Sequence, residues 1–153
     1  MILRRRCLRL GILALAALCG SGVRAGDEIQ RQMTMFAIVA TPDGETTDPR
    51  VISIVDALRR LRPGYGFELK VHKTARVGPG ERIACDLGDG RIAEAKLVQD
   101  QDPGSGKLRI AFTIRRDGKP ESTISVVTPP NQLFICEKPL PGGSKLLIAV
   151  TAR

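Results

Sequence analysis

The 153-residue chain has no tryptophan, one tyrosine, four phenylalanines and a single histidine. A core with so few rings must be mostly aliphatic, and any histidine-based triad has only His72 to build on. No G-x-S-x-G elbow surrounds Ser53, Ser105, Ser122, Ser125 or Ser144, and Asn131-Gln132-Leu133 is not a glycosylation sequon. There is no C-x-x-C pair to suggest redox or zinc chemistry. The longest uninterrupted apolar run, Leu10 to Cys19, is ten residues, about half of the roughly 20 needed to cross a bilayer.

That short run has an identity of its own. It follows Arg4, Arg5, Arg6 and Arg9 and precedes Val23-Arg24-Ala25, which places small residues where signal peptidase requires them. Residues 1–25 are therefore read as a signal peptide cleaved between Ala25 and Gly26, with the product exported to the periplasm or the extracellular space. An uncleaved signal anchor fits less well, because the apolar run is short. A lipoprotein signal at Cys19 is opposed by Leu18, which stands where a small residue is expected. Arg4-Arg5-Arg6-Cys7-Leu8-Arg9 resembles a degenerate twin-arginine motif, while an ordinary basic n-region for general secretion accounts for the same residues; the route stays open.

Cleavage changes both the charge and the cysteine counts. The whole chain carries 24 basic and 16 acidic residues, a formal +8, but five basic residues and no acidic ones fall within positions 1–25. The mature chain is then only about +3, with charges interleaved as in Glu68, Lys70, Lys73, Arg76, Glu81, Arg82 and Asp86. Without a basic block there is no footprint for phosphate, so a nucleic-acid partner is excluded. Cys7 and Cys19 leave with the signal, which makes Cys85 and Cys136 the expected disulfide of an oxidising compartment. A bridge over a loop of that length stabilises by roughly 4 kcal/mol on the chain-entropy model. It also requires the two Cα atoms to approach within about 7 Å.

Gly26 to Arg153 is long enough for one domain and short for two, and no linker or repeat divides it. Met33 to Ala40 is a near-continuous apolar run of strand length ending at Pro42-Asp43-Gly44, which predicts a central strand buried on both faces. Asp48 as cap and Pro49 at the first position predict a helix whose Val51, Ile54, Val55, Leu58 and Leu61 recur at helical spacing. Arg59, Arg60 and Arg62 sit in its last turn, and Pro63-Gly64 ends it. From Tyr65 the period becomes two. Phe67, Leu69 and Val71 form one face, Ile83, Cys85 and Leu87 another, and Leu108, Ile110, Phe112 and Ile114 the cleanest. Asp89-Gly90 and Asp117-Gly118 suit tight hairpins, and Gly104-Ser105-Gly106 and Pro141-Gly142-Gly143 looser connections. The expected fold is mostly β, an antiparallel sandwich or partly closed barrel of about eight strands with one packed amphipathic helix.

Candidate chemistry is sparse. Gly104-Ser105-Gly106-Lys107 suggests a phosphate loop, but Gln101 stands at the first glycine position, Leu108 where a metal-binding hydroxyl belongs, and the segment opens a strand. Asp86, Asp89, Glu94, Asp100 and Asp102 are acidic but lack the ligand rhythm of a calcium loop and are interleaved with Arg91 and Lys96. His72 lies between Lys70 and Lys73 on the polar side of its strand. These residues imply no catalytic, cofactor or metal site, and no cofactor is expected.

Val126-Val127-Thr128, Phe134-Ile135-Cys136 and the closing Gly142-Gly143-Ser144-Lys145-Leu146-Leu147-Ile148-Ala149-Val150-Thr151-Ala152-Arg153 resemble the last strands of bacterial outer-membrane secretins. In that family a Leu-Leu-Ile-rich strand ends in Thr-Pro-Arg; here Ala152 takes the place of the proline, and Cys136-Glu137 the place of a Gly-Gly-Leu. The resemblance covers residues 126–153 and implies an accessory or derived domain among secretion-system components. The sequence thus points to an exported, non-enzymatic binding domain of the cell envelope whose partner is another envelope protein. Its contact surface is a sheet edge or the loops at Gly78-Pro79-Gly80 and Pro139 to Ser144. A carboxylate-dependent secreted hydrolase and a small-ligand-binding barrel are the competing classes.

Overall fold

A computed structural model of the chain describes residues 29–46, 48–98 and 103–153. The signal segment with its Ala25/Gly26 junction lies outside the described residues, as do Asp100 and Asp102. Eight strands and one short helix follow in the order β1 (Arg31–Pro42), α1 (Val55–Leu61), β2 (Tyr65–Val77), β3 (Arg82–Gly88), β4 (Arg91–Val98), β5 (Leu108–Arg116), β6 (Lys119–Thr128), β7 (Phe134–Pro139) and β8 (Lys145–Ala152). They form two four-stranded antiparallel sheets, an inner one in the order β2-β1-β8-β7 and an outer one in the order β3-β4-β5-β6. The sheets stack as a sandwich and do not close into a barrel.

Along its two central strands the inner sheet is covered on both faces, which explains the unbroken apolar runs of β1 and β8. Alternate residues go to different cores. Met33 and Met35 of β1 join Ile148 and Val150 of β8 against the outer sheet. Phe36, Ile38 and Ala40 join Leu147 and Ala149 beneath the helical layer. The outer sheet has one buried face only, so β5 alternates cleanly between buried Leu108, Ile110, Phe112 and Ile114 and the more exposed residues between them.

Two expectations require correction. The helix predicted from Pro49 is split into a 3₁₀ turn over Pro49–Val51 and the seven-residue α1. Asp48 does cap the turn, its carboxylate accepting from the Arg50 amide at 2.9 Å. Val51, Ile52, Ile54 and Val55 are β-branched, and Ser53 lies among them, so this half of the segment is weak in helix propensity. Its bonds run three residues back, from the amides of Ile54 to Val51 O and Val55 to Ile52 O. The tighter winding still buries Val51, Val55 and Leu58 on the sheet, while Leu61 is left 43% exposed.

The second correction concerns β2. The pairing of Ala37 with Val71 and of Ile38 with Leu69 leaves Lys70 without an opposite residue, a β-bulge. One extra residue reverses the side-chain alternation. Phe67 and Leu69 therefore pack under the helical layer, and Val71 faces the outer sheet, so the three do not share a face. At its start β2 is crossed by the loop after β1. A Cβ on Gly66 would lie 2.2 Å from Gly44 C, so only glycine lets these two backbones pass. The Phe67 amide is bonded to Thr46 Oγ1 at 3.0 Å in the same crossing.

Both hairpins form at the expected dipeptides. Asp89 and Gly90 have φ of 54° and 70°, Asp117 and Gly118 have φ of 50° and 80°, and positive φ at both central residues is the twist that a two-residue hairpin needs. The two turns touch, with the Asp117 amide bonded to Gly90 O at 2.9 Å. They define one end of the sandwich.

Candidate functional site

Four edge strands border the two sheets, and three of them are blunted. β2 carries its bulge and lies against β3, where Lys73 Nζ donates to Ala84 O at 2.9 Å. β7 is six residues long, ends in Pro139, and holds Lys138 and Glu137 in ion pairs. The fourth edge is different. β6 begins with Lys119, Pro120 and a register shift opposite Ile114/Arg115, but Ser122-Thr123-Ile124-Ser125-Val126-Val127-Thr128 then runs on without charge, proline or glycine. This stretch pairs with β5 on one side only. Val127 is 51% exposed on its outer face, and Ile124, opposite Phe112, is 38% exposed even though it faces inward.

The two loops that compete with this edge are fixed. In Gly78-Pro79-Gly80 the Gly78 amide donates to the Glu81 carboxylate at 2.7 Å, and the Gly80 amide to Leu97 O at 2.7 Å. In the segment from Pro139 to Ser144 the Leu140 amide is bonded to Ser144 O, and the Leu140 side chain packs on the inter-sheet core. These bonds engage the Gly78, Gly80 and Leu140 amides within the fold, whereas β6 offers a whole strand edge.

Ion pairs tie the sheets together near the hairpin end. Glu121 is approached by Lys138 from β7, Arg91 from β4 at 3.7 Å and Arg116 from β5 at 3.8 Å. The Lys138 ammonium bonded to it, with Arg91 and Arg116 nearby, holds its carboxyl below the usual glutamate range. Glu137 is gripped by the Arg62 guanidinium, whose Nε donates at 2.6 Å, and that bond depresses its carboxyl likewise. This pair joins the end of α1 to β7. Glu94 is shared between Arg82 at 3.5 Å and Arg115 at 3.0 Å.

Concavities flank the inner sheet, one of about 610 Å³ where the segment from Glu45 to Arg50 meets Phe67, Glu68 and Leu69 of β2. An open polar groove of about 600 Å³ lies beside α1, floored by a cross-strand row of Thr74, Thr34 and Thr151, with Thr34 and Thr74 hydroxyls 3.1 Å apart. A smaller cavity of about 410 Å³ opens between the sheets at the hairpin end, where Ala37, Val39, Val71, Leu87 and Leu146 meet the charged Lys70, Asp86, Asp89 and Arg91.

The residues singled out in the sequence do not assemble into a site. Cys85 and Cys136 both face the inter-sheet core, yet both are free thiols, and the expected disulfide is not formed. Topology gives the reason. β3 occupies the edge beside β2, while β7 lies at the far edge beside β6, about three strand spacings or ~14 Å away. That is twice the reach of a disulfide. Burial raises both thiol pKa values. His72 is exposed and stacks on Phe36, ring centroids 4.7 Å apart. Asp86 bonds the Gly88 amide at 2.9 Å and shares the β3–β4 hairpin end with Asp89, while Glu94 is held in its ion pairs further along β4. Gly104 and Ser105 form a 3₁₀ turn ahead of β5, with Ser105 Oγ accepting from the Lys107 amide at 3.3 Å. Among the described residues no group of three metal-ligating side chains converges, and no helix is long and apolar enough to cross a membrane.

The β6 edge and the Glu121 cluster escaped the sequence reading. The edge had a visible signal in its seven uncharged residues; the cluster draws on four strands and had none. Compared with known protein families, with curated proteins and with solved structures, the chain matches none of them.

Proposed function

We propose that this is an exported, non-catalytic binding domain of the cell envelope that takes an extended segment of a partner protein onto the free edge of β6. The observation that carries the reading is the unprotected stretch Ser122–Thr128, because strand addition needs only unpaired main-chain groups and a β-favouring, uncharged edge. Val127 and Ile124 supply the apolar contacts beside that edge. Export follows from the basic and apolar signal of residues 1–25 and its Ala25/Gly26 junction. The likeness of residues 126–153 to the closing strands of secretins favours a secretion-system component as the partner. Against the hydrolase class stands the engagement of Glu94, Glu121 and Glu137, each held by two or more cations.

The test is a pull-down from the protein's own envelope fraction with the wild type and with the Ser125→Lys/Val127→Lys double variant side by side. A partner retained by the wild type and lost with the variant is the expected outcome. Equal capture by both puts the contact elsewhere, and turnover of an ester, glycoside or peptide that vanishes on His72→Ala sinks the non-catalytic reading.

A further inference from the structure

We propose that, with no partner present, the free edge of β6 pairs with β6 of a second copy of this chain, antiparallel and centred on Ser125. The inference rests on the reading that this edge accepts an added strand, and it concerns what covers the edge when the partner is absent.

A two-fold contact between identical chains uses one patch twice, so the patch must complement itself. About Ser125 the uncharged stretch does. Ile124 and Val126 lie opposite Phe112 and Ile110 of β5 and so face inward; antiparallel pairing sets Ile124 beside Val126 of the second copy, and Ser122 beside its Thr128. Apolar meets apolar, and hydroxyl meets hydroxyl. On the outward face Thr123 meets Val127 and Ser125 meets its own counterpart, so no position in the overlap sets like charges against each other.

The prolines fix the centre. Pro120 and Pro130 stand equally far from Ser125, so at this centre they meet each other just outside the seven-residue overlap Ser122–Thr128. Centring on Ile124 would bring Pro120 opposite Thr128, and centring on Val126 would bring Pro130 opposite Ser122; each puts a residue without an amide hydrogen into the ladder. A centre between two residues would oppose inward side chains to outward ones.

Pairing completes what β6 leaves unfinished. Ile124 faces inward yet is 38% exposed, because no strand flanks β6 on that side, and Val126 of the second copy covers it. The two outer sheets become one sheet of eight strands. Bordering charges do not oppose it: Arg109 lies opposite Val127, which places the two copies' guanidinium-bearing positions four residues apart along the strand, about 13 Å. Lys119 and Glu121 lie outside the overlap, opposite Asn131 and Pro129 of the second copy. An edge of seven residues, about 23 Å long, falls short of the roughly 1,200 Å² that a stable specific interface buries, so the dimer is weak and concentration-dependent.

The experiment is sedimentation of the purified protein over a concentration series, with cysteine cross-linking to read the register. The wild type should move from monomer toward dimer as concentration rises. Ser125→Lys, which sets two ammonium groups opposite each other at an exposed position, should dimerise at least tenfold more weakly. On oxidation Ser125→Cys should cross-link above the background that the wild type's own cysteines set, whereas Thr123→Cys and Val127→Cys should cross-link only when mixed, since only opposed Cα atoms come within disulfide reach. A monomer at every concentration, a Ser125→Lys dimer as strong as the wild type, or equal cross-linking by Thr123→Cys alone would each overturn the proposal. Envelope capture judges the strand-addition reading separately: a monomeric protein that still captures a partner through β6 sinks self-pairing alone, and a Ser125-centred dimer that captures none leaves self-pairing standing without a partner.

Discussion

The two sheets of this sandwich are built from the same kinds of residue and differ in how many of their faces are covered. β1 and β8 of the inner sheet send consecutive side chains into two separate cores, so nearly every position is structural. β5 of the outer sheet buries one side and leaves the other to solvent, while β6 is exposed or half-buried along its length up to the buried Thr128, with an edge open as well. The difference teaches where function can be placed. The two central strands of the inner sheet have little surface to spare beyond the groove floored by Thr34 and Thr151, whereas the outer sheet can present its edge and outer face without cost to the core.

The largest effects test that division at its centre. Leu147 and Ile148 are neighbours in β8 that belong to opposite cores, and each is at most 1% exposed. Leu147→Ala and Ile148→Ala should each destabilise by about 2–5 kcal/mol in urea unfolding. In β5 the corresponding neighbours should split: Ile110→Ala costs a similar amount, and Arg109→Ala stays within about 0.5 kcal/mol. A cheap Leu147→Ala would mean that the helical layer is not a packed layer, and the contrast between the sheets would collapse.

Next comes the response to acid. The carboxyls of Glu121 and Glu137 are held below their ordinary range, chiefly by hydrogen bonds from Lys138 and Arg62 respectively. A group depressed in the folded state stabilises it above the unfolded-state value, about 4.3 for glutamate, and loses that contribution as pH falls through the lower folded value. Stability should therefore be flat from pH 8 to 5 with respect to these two groups and decline below about pH 4. The Glu121→Gln/Glu137→Gln variant should show a shallower acid decline and only a small loss at neutral pH, as is usual for accessible ion pairs. Thermal melts across pH check both points. An unchanged acid slope would show that these pairs do not tie the sheets together.

Smaller still is the response to reductant. With Cys85 and Cys136 free and on opposite edges, the unfolding midpoint should be the same with and without reductant, where a bridge would have contributed roughly 4 kcal/mol. Burial keeps both thiols protonated at neutral pH, so alkylation of Cys85 and Cys136 should be slow in the folded protein and fast in urea. A midpoint that drops on reduction would require the two edge strands to meet.

Most of the architecture was legible in the sequence because it depends on local pattern. The apolar run from Met33 to Ala40 announced a strand covered on both sides, the alternation of β5 announced one covered on a single side, and the Asp-Gly dipeptides located both hairpins. What was not legible depends on a single residue or on strand order. Lys70 gives no warning in sequence that it will be skipped in the ladder, yet that omission moves Val71 into the other core. The spacing of Cys85 and Cys136 cannot reveal that β3 and β7 occupy far edges, because order within a sheet is fixed by long-range pairing. Arg91, Arg116, Lys138 and Glu121 converge for the same reason from four separate strands. The orphaned Arg91 Nε is a consequence of that convergence.

The smallest expected change in stability is the one that bears most directly on function. Val127→Lys places a charge on the outer face of β6, at a side chain already half in solvent and outside both cores. Its effect on the unfolding free energy should lie within about 0.5 kcal/mol, since it breaks no buried contact. The same charge should oppose an added strand, because a lysine on an exposed edge is a common device for keeping edges unpaired. Introducing it alone should therefore lower partner capture while the melt stays unchanged, and restoring an uncharged β-branched side chain with Val127→Thr should restore capture. A large loss of stability would mean that β6 is a structural strand like β1 and β8. Undisturbed capture would mean that the outer sheet's free edge is open only because nothing approaches it.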